Sequence, residues 1–213
     1  EGEVRVMKEN IGENIFAGFL QDEVKLLDNL TLYGGLRLEQ HYISNFKVSP
    51  SASLIFEPIE NHTFRLQATR AYRAPNIYES KMDFSLTTGL ASKRGRYLGN
   101  EDNKAESIDS FELGYQNLIF KNRVKGLINF FFDNTDNIIE HRHVRNEVIS
   151  GQTLPVMQLI NSGESKAKGV EIGAELLLTK QITTFLNYTF QEVENKGVIS
   201  VAPTGRFGEK FAP

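Results

Sequence analysis

Leu30-Thr31-Leu32-Tyr33-Gly34-Gly35-Leu36-Arg37-Leu38-Glu39 decides the fold class. Leu30, Leu32, Leu36 and Leu38 take one parity and Thr31, Tyr33, Arg37 and Glu39 the other, which is the two-residue period of a strand with one apolar face. The same sorting recurs along the chain. Phe111, Leu113, Tyr115 and Ile119 oppose Glu112, Gly114 and Gln116, while Val170, Ile172, Ala174 and Leu176 oppose Glu171, Gly173 and Glu175. Val124, Ile128, Phe130 and Phe132 stand against Lys125, Asn129 and Asp133, and Leu186, Tyr188 and Phe190 against Asn187 and Thr189. Ala52, Leu54 and Phe56 repeat the pattern in brief. The chain is all-β and antiparallel.

Eight strands are expected, at 14–25, 30–42, 48–57, 63–74, 106–120, 123–139, 156–178 and 182–195. Short polar turns at 27–29, 58–62, 121–123 and 179–181 join them in pairs, as hairpins do. The links between pairs are long at 76–104, 140–155 and from 196 onward, and brief at 41–48. Short turns at one end and long loops at the other are the habit of barrels in an outer membrane. A water-soluble sandwich also alternates, with the apolar face turned inward, so periodicity alone leaves both architectures open. Two places resist a simple face assignment. Arg70 shares parity with Phe64, Leu66 and Ala68, so it belongs near the membrane interface or beyond a bulge, because a cation facing lipid at the midplane costs roughly 2–4 kcal/mol. In the first strand Phe16, Gly18 and Leu20 compete with Ile15, Ala17 and Phe19 for the apolar side.

The 213 residues are 40% hydrophobic, include 15 Phe and 7 Tyr, and carry a net charge of -3. That is too apolar and too balanced for a disordered chain, and it gives no electrostatic support to a nucleic-acid partner. There is no Cys, which removes disulfides and thiolate metal sites. No run approaches the ~18 apolar residues of a spanning helix. The start at Glu1, without a basic-then-apolar leader, reads as a cut.

Several motifs resemble the carboxy-terminal barrel portion of TonB-dependent outer-membrane receptors. Gln21-Asp22-Glu23 with Gly35-Leu36-Arg37, and Ser49-Pro50-Ser51-Ala52-Ser53-Leu54, are similar to that family's successive strands. Arg70-Ala71-Tyr72-Arg73-Ala74-Pro75-Asn76, followed by Glu79, is the most specific piece and resembles the entry into a long outer loop. Leu98-Gly99-Asn100-Glu101-Asp102-Asn103-Lys104-Ala105-Glu106 resembles the loop exit, and Phe111-Glu112-Leu113-Gly114-Tyr115 the strand after it. Asn134-Thr135-Asp136-Asn137-Ile138-Ile139, Asn161-Ser162-Gly163 and Lys168-Gly169-Val170-Glu171-Ile172 complete the series. The family commonly has prolines where Glu101 and Ala105 stand, so a less fixed loop backbone is expected here. The resemblance implies a partial, antiparallel up-and-down outer-membrane β-barrel over residues 1–213, about eight strands of some 22, with the plug domain and closing strands absent. It also implies energy-coupled uptake of a scarce nutrient of ferric siderophore, cobalamin or oligosaccharide type, in the bacterial outer membrane. The implied partners are outer-membrane lipid, the protein's own plug, the TonB system and a small nutrient ligand. A small autonomous barrel with a structural or adhesive role, or a soluble β-rich binding module, are the alternatives.

Chemistry is thinly marked. Ser, His and Asp residues are scattered without a nucleophile elbow, so no catalytic residue and no enzyme activity is expected. His141 and His143, two apart on a strand, share a face, and only a carboxylate such as Glu140 or Glu147 would make them a metal site. Without further ligands a polar strand end is the simpler reading, and neither a metal nor a cofactor is expected. Lys93, Arg94, Arg96 and Tyr97 in one outer loop, with His141, Arg142 and His143 in another, are the candidates for contact with an anionic ligand, although Asp83, Glu101 and Asp102 could pair the first group internally. Arg37, Glu39, Glu112, Gln116, Glu171 and Glu175 are expected on the wet, lumen-facing side or against a plug.

Overall fold

The computed structural model describes residues 12, 14–86, 94–120 and 123–197. Its strands are β1 (Ile15–Leu27), β2 (Leu30–His41), β3 (Asn45–Ile59), β4 (His62–Arg73), β5 (Asp83–Leu86), β6 (Gly95–Leu98), β7 (Glu106–Ile119), β8 (Val124–Ile149), β9 (Gln152–Leu177) and β10 (Thr183–Lys196). A five-residue helix, α1 (Ile77–Lys81), precedes β5. The wall is one antiparallel sheet in chain order, β1-β2-β3-β4-β7-β8-β9, and β10 pairs with β9 along Glu164–Leu177. Above β10 the same edge of β9 carries the β5–β6 hairpin, joined in parallel through Arg96–Val156, Tyr97–Met157 and Leu98–Gln158.

The register lines up one continuous apolar row across eight strands: Val24, Leu32, Leu54, Leu66, Leu113, Phe130, Val170 and Phe190. Along β2 the apolar set Leu32, Leu36 and Leu38 is the exposed one, and Tyr33, Gly35 and Glu39 are partly covered. Apolar residues therefore cover the convex side, the inverse of a soluble sheet. The buried apolar residues among those described are Ala105, Ile139, Leu154, Val156 and Leu159, none of them in the apolar rows of the wall. A water-soluble domain of this length would bury most of its large apolar side chains, whereas here Phe16, Leu20, Leu66, Phe111, Leu113 and Phe190 are all open. This arrangement resolves the two architectures in favour of a partial membrane barrel.

The apolar band runs obliquely. Its upper edge is Phe16 on β1 and Phe190 on β10, yet the row of Phe190 crosses β1 at Val24, lower by about eight residues. At ~3.3 Å per residue and ~4.8 Å between strands, that offset over the wall corresponds to a strand tilt of roughly 40°, inside the range of outer-membrane barrels. The first strand's register follows: Phe16, Gly18, Leu20 and Val24 join the outer rows, and Ala17 and Phe19 the inner ones. Arg70 lies above the band without a bulge and forms a two-point ion pair with Asp109 across β4 and β7. One row lower, Lys168 meets Glu192 at 3.0 Å on β9 and β10, where the band has already ended. At the lower rim Phe64 and Tyr115 stack at 4.8 Å, and His62 Nδ1 lies 2.6 Å from the Tyr115 hydroxyl, an aromatic girdle.

Two expectations need correction. The wall has the eight strands anticipated, but two further short ones, β5 and β6, and helix α1 structure the 76–104 link. The segment 140–155 is no loop: β8 and β9 each run 26 residues and meet in a two-residue turn at Ser150 (φ 52) and Gly151 (φ 78). Positive φ at both positions gives a tight turn whose twist matches the strands. The upper half of this hairpin projects ~45 Å along the strand beyond the wall. The stretch from 198 onward lies outside the described residues, as does Lys93.

Leu113→Arg, in the middle of the outer band, is expected to lower the unfolding free energy by roughly 2–4 kcal/mol in denaturant titrations of the receptor refolded into lipid vesicles. Gln116→Arg, on the opposite face of the same strand, should leave that value nearly unchanged.

Candidate functional site

The chain leaves the top of β4 through Arg73-Ala74-Pro75-Asn76, and the geometry explains why these residues are needed. Arg73 donates from both terminal nitrogens to Glu79 at 2.9 Å and from Nε to Glu106 at 2.6 Å, tying the loop's start to the beginning of β7. Asn76 and Glu79 form a reciprocal capping box on α1, with Glu79 N–H donating to Asn76 Oδ1 at 2.9 Å and Asn76 N–H to Glu79 Oε2 at 2.8 Å. Gly99 lies flat against the end of α1. A Cβ there would come within 2.6 Å of the Ser80 carbonyl carbon, so this approach requires glycine.

The loop exit is clamped by side-chain amides. Asn103, 4% exposed, donates to the carbonyls of Glu79 at 3.2 Å and Leu159 at 3.0 Å. Asn161 accepts from the Lys104 N–H at 2.7 Å and donates to the carbonyls of Lys104 and Asn137 at 3.0 and 2.6 Å. Glu106 accepts from the Ile139 N–H at 2.8 Å. Hydrogen bonds and the burial of Ala105 thus hold a backbone expected to be less fixed for want of two prolines, while Glu101 pairs with Lys81 at 2.5 Å.

Parallel pairing of β6 with β9 brings Tyr97 of one candidate group against His141 of the other. Tyr97 meets His141 edge-on with ring centroids 5.6 Å apart, and Phe84 packs beside Tyr97 at 6.3 Å. Arg96 donates twice to Asp83 at 2.8 Å and once to Glu147 at 3.0 Å, and Arg145 Nε reaches the other oxygen of Glu147 at 2.8 Å. These cations hold the Glu147 carboxyl below its ordinary range, Arg145 contributing most and Arg96 next. Crowding on one side of the His141 imidazole lowers its pKa and favours the neutral ring. His143 turns to Asn146 at 2.9 Å, so the two histidines engage different partners, and among the described residues no three His, Asp or Glu groups gather as a metal site. Arg142 differs from its neighbours. It is half-buried, its Nε donates to Ser162 Oγ at 2.8 Å, and it has no carboxylate partner among the described residues. Arg94 opens the described return of the loop, one residue before β6.

On the concave side the register puts Arg37, Glu39, Glu112, Gln116, Glu171 and Glu175 on one face of the sheet. Arg37 pairs with Glu39 at 2.5 Å. Glu112 receives Arg65 Nη2 at 2.9 Å, with the Asn129 amide at 3.5 Å. Arg65 and Asn129 were missed from sequence, although their opposition to Phe64, Leu66, Ile128 and Phe130 carries the signal. Asn129 is 7% exposed, and its Oδ1 has no partner among the described residues. A hollow of about 310 Å³ opens on this face, lined in part by Gln21, Tyr33, Gly35, Ser53, Arg65 and Gln67.

A family model described as "TonB dependent receptor-like, beta-barrel" matches residues 6–210. The chain is 28% identical over 185 residues to the ferric enterobactin receptor PirA of Pseudomonas aeruginosa, which covers 83% of this chain and 24% of that protein. It is 31% identical over 107 residues to the ferrienterobactin receptor of Escherichia coli K12, covering 48% and 14%. The crystal structure of the siderophore receptor PirA from Pseudomonas aeruginosa superposes with a TM-score of 0.72 at 22% identity, over 84% of this chain and 34% of that one. The chain spans about a quarter of the length of PirA, or less of the other curated relatives it matches. With the outward apolar band, the oblique wall and the clamped outer loop, the match over nearly its whole length means that this chain belongs to the TonB-dependent receptor family and forms part of its β-barrel.

Proposed function

We propose that residues 1–213 are a partial barrel domain, wall and outer loops, of a bacterial outer-membrane receptor that takes up a ferric siderophore. The observation that carries this reading is the family match together with curated relatives that are ferric enterobactin receptors. It favours a siderophore over the cobalamin and oligosaccharide classes. The receptor would enclose a plug against the polar face that bears Arg37, Glu39, Glu112, Gln116, Glu171 and Glu175, and would draw on the TonB system for energy. Lipid would cover the apolar band.

In this reading the ligand is met above the membrane, at the clasp between β6 and the β8–β9 hairpin. Arg96 is occupied by Asp83 and Glu147, so its role is to hold the loop. Arg142 keeps donors free for an anionic chelate on the face of β8 opposite His141 and His143, in the row of Gln158 and Leu98, and Lys93 and Arg94 stand just before Tyr97 in sequence. A hydrogen bond from a charged group is worth roughly 1.5–3 kcal/mol, or about ten- to a hundredfold in affinity.

Cells that depend on the complete receptor should therefore grow on a ferric catecholate siderophore under iron starvation, and the purified receptor should bind it directly. Arg142→Ala is expected to weaken binding by about tenfold or more with the fold intact; unchanged affinity would remove Arg142 from the site, and failure of every siderophore tested would remove the substrate class.

The clasp should also respond to acid. Crowding holds the His141 pKa below the 6.5 of an ordinary imidazole in the closed clasp, so an open loop takes up the proton first. Stability from the neutral ring is then present above about pH 6.5 and falls away below it. Glu147, lowered from 4.5, adds a loss in the same direction at more acid pH. Limited proteolysis of the 76–104 loop should run faster at pH 5.5 than at 7.5, and His141→Gln should flatten that difference.

A further inference from the structure

Asp22 occupies a position that the wall does not explain. The register pairs it with Gly34, then Ala52, Ala68, Phe111 and Phe132, all on the outward face. On β1 it lies between Leu20 and Val24, midway between the band's upper edge at Phe16 and the lower turn. A carboxylate is thus placed on the lipid-facing surface near the middle of the apolar band. Its Oδ1 accepts the Glu23 N–H at 2.9 Å, and its other oxygen has no partner among the described residues. Beside it the surface is low. Gly34, Ala52 and Ala68 follow one another on β2, β3 and β4, flanked by Leu36 and Pro50 on one side and Leu32, Leu54 and Leu66 on the other. A Cβ built at Gly34 meets nothing within 4 Å.

We infer that Asp22 and this small-residue groove receive a cationic side chain carried on the outward face of the strand that pairs with the second edge of β1. Two requirements converge on that occupant. Backbone groups in hydrocarbon must be paired within a closed sheet, and among the described residues β1 has a partner on one edge alone. A residue directly across that edge would place its Cβ ~5 Å from that of Asp22. An ionised carboxylate in the apolar band is tolerated when an opposite charge compensates it, and a neutral donor would leave the net charge in lipid. A long Arg or Lys stem laid over Asp22 toward Gly34 would bury its methylenes in the groove and set its head against the carboxylate. The inference rests on the membrane-barrel reading.

The test uses the complete receptor refolded into phosphatidylcholine vesicles, with urea unfolding midpoints for the wild type, Asp22→Asn, Asp22→Leu and Gly34→Leu. Leucine suits a lipid-facing surface, so with nothing but acyl chains in the groove Asp22→Leu and Gly34→Leu would hold or raise the midpoint. An occupied groove predicts a lower midpoint for all three, with the folding equilibrium reduced at least tenfold for Asp22→Leu, because a cation is left unpaired or displaced. A midpoint at or above wild type for any of the three overturns the proposal. Wild-type receptor that stays folded and soluble without vesicles or detergent would sink the membrane reading itself, whatever the order of the variants.

Discussion

The peptide group's need for a hydrogen-bond partner, in a medium with none to offer, is the constraint from which the rest of this structure follows. Water can satisfy a stray N–H or C=O; hydrocarbon cannot, and each orphan costs several kcal/mol. The wall answers with ladders that run in chain order and with turns as short as two residues. Side chains are then free to sort by solvent, which is why Leu66, Leu113, Phe130 and Val170 align outward while Gln67, Glu112, Asn129 and Glu171 line the other side. Without a conventional core, the wall is held by its ladder of backbone hydrogen bonds.

Where the chain rises above the band, the rules change over a few residues. Arg70 with Asp109 and Lys168 with Glu192 mark the change on the outer surface. Beyond it the β8–β9 hairpin, α1 and the β5–β6 hairpin assemble in the manner of a small soluble protein, with Val156 fully buried and Leu154, Leu159 and Ile139 nearly so. Buried amides at Asn103 and the clamp at Asn161 satisfy backbone groups that no ladder reaches. The molecule therefore combines two solvents and two strategies within single strands, since β8 and β9 pass through both.

What could be read from sequence follows the same division. Within the band, lipid on one side and water on the other enforce strict alternation, so the eight wall strands, their pairing and the ambiguous face of Arg70 were legible. Above it that pressure relaxes. His141-Arg142-His143-Val144-Arg145 shows no period, the positive φ of Asn137 and register shifts near Ile138 and Arg145 break the parity, and Pro155 argues against a strand. The Ser150-Gly151 dipeptide was the available sign of a tight turn. β5 and β6, at four residues each, are too short to declare a period. The clustering of Arg96, Tyr97 and His141 depends on parallel pairing between segments some 60 residues apart, which local pattern does not encode, although each residue stood out for its type and place.

The parallel seam between β6 and β9 also bears on the order of assembly. Wall strands pair with their ladder neighbours, so the sheet can grow with little loop entropy to overcome at each step except between β4 and β7, where residues 74–105 intervene. The β6 seam breaks that sequence. β6 is made before β7 and β8, but its partner edge on β9 exists once the long hairpin has folded back on itself. The β6 seam therefore needs β9 in place, while the Arg73–Glu106 pair ties the two ends of the link together. The sheet thus carries one parallel seam whose formation depends on a strand three further along the chain rather than on the next one.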